Sequence, residues 1–165
     1  MELYQHIRDK IAYHKWSNDA IVRWLRNQSS DLITKEVRSS FPDLKSIIHH
    51  MMEAETYYFS ILKGTEARYF DELSNEQVFE KLLETNERLL HWYLNENPEI
   101  VEKIISIKRS PYEERYSVAT LLSHIVNHGT YHRGQIISLR HQLGISDPPK
   151  TDYYWMFAER LLSKK

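Results

Sequence analysis

The spacing of apolar residues divides the chain into long helices separated by polar connections. From Glu2 to Asn27 nothing breaks a helix, and Tyr4, Ile7, Ile11, Ile21, Val22 and Leu25 form one apolar stripe. A second apolar face of the same helix runs through Ala12, Tyr13, Trp16, Ala20 and Trp24. Such a helix needs two partners, so the pattern predicts either an extra packing layer or a contact between two copies in a homodimer. Residues Gln28 to Pro42 read as a polar connection with a short turn of helix around Asp31 to Lys35.

A second helix is predicted from Asp43 to Lys63, with Leu44, Ile47, Ile48, Met51, Ala54, Tyr58, Ile61 and Leu62 on its stripe and Gly64 as its stop. After a charged loop from Glu66 to Leu73, Ser74 and Gln77 form a capping box for a third helix, which Val78, Phe79, Leu82, Leu83, Leu89, Leu90 and Tyr93 carry to about Asn95. Beyond Pro98 the period changes. Ile104 to Ile107 and Tyr116, on either side of Ser110-Pro111, predict a short irregular hairpin. Ser117 then caps a fourth helix whose stripe, Val118, Leu121, Leu122, Ile125, Ile136, Leu139 and Leu143, ends before Gly144. Pro148-Pro149 separates it from a terminal helix, about Asp152 to Leu162, whose Tyr153, Tyr154, Trp155, Met156 and Phe157 are expected in a core or at a dimer surface.

Four main helices and a shorter fifth make the expected fold all-α: a four-helix bundle with a short C-terminal helix and a small hairpin between the third and fourth main helices. A chain of 165 residues suits a single domain over 1–165. A formal net charge of -1 gives no electrostatic argument for nucleic acid or an anionic membrane. No apolar run approaches the ~20 residues of a membrane span, and Met1-Glu2-Leu3-Tyr4-Gln5 lacks the layout of a signal peptide, so the expectation is a soluble, cytoplasmic protein. With no cysteine in the chain, disulfides, thiolate ligands and a cysteine nucleophile are excluded, and any thiol chemistry would use an external thiol.

The candidate chemistry lies in the fourth helix, where His124, His128 and His132 recur at four-residue intervals. Residues four apart share a helical face, so two of these imidazoles can point at one metal ion. All three cannot, because His124 and His132 lie roughly 12 Å apart along the axis and ligands sit about 2 Å from an ion. His132 falls near the middle of the apolar stripe and His128 close to it, whereas His124 lies at its edge, so the inward pair is His128 and His132. On the second helix His50 falls nearer the stripe than His49 and is the better third ligand. Three neutral imidazoles leave coordination positions open for water or substrate.

Around them stand candidates for support. Glu55, inside the second helix's stripe, suits a hydrogen bond to a ligating imidazole or a core salt bridge. His14 and Asn18, four apart inside the first stripe, suit either a buried hydrogen-bonded pair or a role behind the ligands or toward substrate. Gln135 is a candidate hydrogen-bond donor near the ion and His124 a residue at its boundary, while His6, His49, His91 and His141 read as surface or packing residues. No phosphate loop, dinucleotide glycine fingerprint, HExxH signature or nucleophile elbow occurs, and the inward glutamates of a di-iron site are missing from the ligand helix.

The stretch His124-x-x-x-His128-Gly129-Thr130-Tyr131-His132-Arg133-Gly134-Gln135 is similar to the C-terminal H-x-x-x-H-R-G-Q signature of the DinB-like (DinB/YfiT) superfamily. Leu44-Lys45-Ser46-Ile47-Ile48-His49-His50 with Ala54-Glu55, and Tyr13-x-x-Trp16-Ser17-Asn18, resemble two further parts of that pattern. The resemblance implies an up-down-down-up bundle, commonly a homodimer, with His50, His128 and His132 holding zinc, nickel, iron or manganese. It also implies a metal-dependent transferase using a low-molecular-weight thiol on an electrophile. A non-catalytic, stress-associated metal- or ligand-binding protein and a metal-dependent hydrolase at the same site are the competing expectations.

Overall fold

The computed structural model describes residues 1–162. Four long helices dominate: α1 (Glu2–Arg26), α3 (Leu44–Lys63), α4 (Asn75–Leu94) and α5 (Val118–Leu143). A single turn, α2 (Ser30–Ile33), interrupts the first connection, and α6 (Tyr153–Leu162) follows α5. Strands β1 (Ile104–Arg109) and β2 (Tyr112–Ser117) pair antiparallel with Ile104 opposite Ser117 and Arg109 opposite Tyr112, so the hairpin is regular rather than irregular. A 3-10 turn, Pro98–Glu102, leads into it.

The predicted boundaries hold because their capping chemistry forms. Asp43 accepts from the Ser46 amide at 2.7 Å, and Ser117 accepts from the Thr120 amide at 3.1 Å. Ser74 and Gln77 exchange hydrogen bonds in a complete capping box. At the other ends, Gly64 and Gly144 take the left-handed conformation, φ 66° and 69°, that closes a helix at no cost to a residue without a Cβ.

Cross-helix pairs fix the direction of each helix. Tyr4 stacks on Tyr93 with ring centroids 4.6 Å apart, and Arg26 donates to Glu76, so α1 and α4 are antiparallel. His50 meets His128 while Tyr58 meets His124, so α3 and α5 are antiparallel. Glu55 meets Asn86 and Phe59 meets Trp92, making α3 and α4 parallel. The bundle is therefore up-down-down-up, with the 64–74 segment carrying the chain back along its length.

Two apolar clusters fill the interior. One, around Leu25, Ile47, Met51, Val78, Phe79 and Ile136, occupies the end near the first connection; the other, around Ile7, Ile11, Leu89, Tyr93, Leu122 and Ile125, occupies the hairpin end. The second face of α1 is met by an extra packing layer. Trp24 donates to the Ser146 carbonyl at 3.0 Å, and Tyr13 donates to the Thr151 carbonyl at 2.8 Å while Tyr153 meets its ring edge-on. Of the terminal aromatic cluster, Met156 is buried, whereas Tyr153 and Tyr154 remain exposed. Among the described residues no helix is long and apolar enough to cross a membrane.

Candidate metal centre

Between the two apolar clusters lie two groups of polar side chains, both arranged around histidine. The first is the triad expected from sequence. His50 Nε2 and His132 Nε2 each lie 3.1 Å from His128 Nε2, and one ligand atom from each of the three falls within 4.8 Å of the other two. For ligands about 2.0–2.1 Å from a tetrahedral ion, neighbouring donors stand about 3.3–3.4 Å apart, so the observed spacing fits a shared ion with little adjustment.

The ring orientations also suit ligation. Gln135 donates through Nε2 to Ser40 Oγ at 3.2 Å and to the Tyr131 hydroxyl at 3.3 Å, which leaves its Oε1 as acceptor. His132 Nδ1–H therefore donates to Gln135 Oε1 at 2.7 Å, and the Nε2 lone pair is free to point at the cluster. Sequence reading expected Gln135 as a donor near the ion; toward the histidine it is an acceptor, and its donors hold the loop outside.

Charge is unwelcome at this place. Burial first, and then the positive potential of His132, His50, His124 and His14, push the His128 pKa down to about 4. His132 is lowered by burial, against the opposing effect of its hydrogen bond to Gln135. Neutral imidazoles at pH 7 are the form that binds a metal.

The 37–42 loop walls one side of the triad. Gln142 clamps it by accepting from the Arg38 amide and donating to the Arg38 carbonyl, at 3.1 and 3.3 Å. Phe41 packs 5.1 Å from the His50 ring and 5.6 Å from the His132 ring. His50 and His128 are half-buried, and Tyr131, 64% exposed, meets His132 edge-on, so the cluster communicates with solvent on this side. His124 is exposed and meets Tyr58 edge-on, and His49 turns away to the Phe70 carbonyl at 3.2 Å.

The second group is closed. Glu55 makes no hydrogen bond to the triad; its Oε1 instead accepts from His14 Nε2 at 2.8 Å and Asn18 Nδ2 at 3.3 Å, and its Oε2 accepts from Asn86. Asn18 also donates to Asn86 Oδ1 at 2.7 Å and accepts from Arg133 at 2.8 Å. Arg133 reaches His14 Nδ1, Thr130 and the Tyr13 hydroxyl as well, leaving only its Nε without a partner among the described residues. The carboxylate and the guanidinium thus balance each other through His14 and Asn18, as a buried charge requires. Close approach to α5 depends on Gly129, where a Cβ would stand 2.3 Å from His14 Cε1.

The sequence left Asn86 and Arg133 unassigned to this group. Asn86 carried the same signal as Asn18, a polar residue inside an apolar stripe, between Leu82 and Leu89. Arg133 follows His132, so on a helical wheel it turns about 100° away from the triad and into the α1 side. Ser40 and Phe41 lie in the irregular 37–42 loop, which carries no periodic signal.

A family model described as the DinB family matches residues 3–160. Protein DinB of Bacillus subtilis (strain 168) is 30% identical over 151 residues, covering 86% of this chain and 87% of that protein.

Proposed function

Because the chain belongs to the DinB family, we propose that its His50–His128–His132 cluster holds a divalent ion and that the protein transfers a low-molecular-weight thiol to an electrophile. The observation carrying this reading is the convergence of three imidazole nitrogens with solvent on one side. Zinc, nickel, iron and manganese all accept imidazole, and the donor set does not choose between them. Bound there, the ion would supply Lewis acidity that lowers the pKa of a thiol arriving at the open side.

The surrounding residues do the rest. Gln135 keeps the proton of His132 on Nδ1, away from the ligand position. Phe41 excludes water from one flank, and the Tyr131 hydroxyl and Ser40 stand at the rim as hydrogen-bonding groups for an incoming molecule. Because the chain has no cysteine, the sulfur nucleophile belongs to the cosubstrate.

Metal analysis and a thiol assay test the proposal together. Purified protein should carry close to one divalent ion per chain and consume glutathione, bacillithiol or mycothiol with a haloaromatic or an epoxide. Failure to retain metal after supplementation would remove the basis of the reading. Metal binding with ester hydrolysis that needs no thiol would replace the transferase with a hydrolase.

A further inference from the structure

Away from the histidines, a cleft of about 860 Å³ opens between the C-terminal half of α3, the middle of α4 and the 64–73 crossover. Its walls carry Lys63, Arg68, Lys81 and Arg88, with Glu66 and Glu84 as the acids. Four cations against two carboxylates leave a local charge of +2 in a chain whose formal total is -1. The Arg88–Glu84 pair, 3.5 Å apart with both side chains about 60% exposed, is too solvated to consume much of that charge.

Three of the cations are held over aromatic faces. Lys81 Nζ sits 3.8 Å from the centre of the Phe70 ring, and Lys63 and Arg88 flank the Phe59 ring at 5.7 and 6.0 Å. Cation–π contact restrains these long side chains, so part of the entropy lost on gripping a ligand is already lost.

The floor supplies a second, independent observation. Thr85 lines the cleft, is 9% exposed, and makes no hydrogen bond to any described residue. A threonine inside a helix often donates to the carbonyl four residues back, as Thr130 does to Val126. Thr85 does not, so its hydroxyl is left to bond water or a group that enters the cleft. Beside it, Ser60 spends its proton on the Tyr57 carbonyl.

We propose that this cleft binds a small molecule through a phosphate-type dianion, with the Thr85 hydroxyl as floor and Lys63, Arg68, Lys81 and Arg88 as the charged rim. Several cations converging with a hydroxyl suit a tetrahedral group carrying nearly two charges and several acceptor oxygens better than a single carboxylate. The site stands apart from the triad and does not depend on the proposed transferase activity.

Calorimetric titration of the metal-loaded full-length chain with inorganic phosphate at low ionic strength tests it. One saturable site with a Kd of about 1 mM or tighter is expected, weakening as salt is raised. Lys81→Gln should weaken it about tenfold and Thr85→Val about threefold or more, while Arg23→Gln, exposed on α1 and outside the cleft, leaves it unchanged. Should Thr85→Val fail to fold, the surface changes Lys81→Gln and Arg68→Gln decide the matter. Absence of saturation, equally tight binding of acetate, or binding that survives the cleft variants and disappears in His128→Ala would each overturn the proposal.

Discussion

The two histidine-centred groups inside the bundle are made of similar parts and end in opposite states. In the closed group His14 has both ring nitrogens engaged, one donating to Glu55 and one facing Arg133. In the open group three Nε2 atoms face one another, and among the described residues their one hydrogen-bond partner outside the triad is Gln135, at the far nitrogen of His132. A saturated polar cluster inside a core contributes structure. A cluster of ring nitrogens aimed at a common point contributes a place for something else.

The largest effect separating the two groups should come from His128→Ala. Metal analysis should show binding reduced to background, while chemical denaturation with a chelator present changes by no more than about 1 kcal/mol, since the ring is half-buried and makes no hydrogen bond outside the triad. Glu55→Gln should do the reverse. It leaves the Arg133 charge buried without its balancing carboxylate, so unfolding should be easier by about 3–5 kcal/mol while metal content persists in the folded fraction. Equal losses of metal and stability in either variant would mean that the groups are not separable.

Gln135→Leu is the finer probe. It removes the acceptor that fixes the His132 tautomer, and a weakening of metal affinity of about 10–100-fold is expected, measurable by chelator competition. The smallest effect is on pH dependence. The His128 pKa is lower in the folded chain, about 4, than its ordinary 6.5, so between those values the unfolded chain binds more protons. Stability of the metal-free protein should therefore fall as pH drops through that window and flatten below it, and His128→Asn should lose that part of the slope in melting curves.

Much of this was legible in the sequence because it depends on periodicity and local capping. Asp43, Ser74 and Ser117 announce their helices, and the inward position of His128 and His132 follows from residues four apart on a stripe. The choice of His50 over His49 follows from the same wheel. Long-range pairing was not legible. Whether Glu55 would meet a ligating imidazole or His14 depends on the roll of α1 against α3, which no local spacing encodes. The 37–42 loop was equally silent, since its position comes from the Gln142 clamp on the Arg38 backbone, two groups more than a hundred residues apart.

Helix α5 serves both groups, presenting His128 and His132 on one side and Gly129 and Arg133 a quarter-turn or so around it. Any twist of that rod about its long axis would drag the guanidinium off Asn18 and swing the two imidazoles by the same angle. The buried Arg133 latch thus works as a protractor, and the aim of the imidazoles is set by residues that never touch whatever they would hold. Selection for accurate aim would then fall on Gly129 and Arg133 as heavily as on the imidazoles themselves.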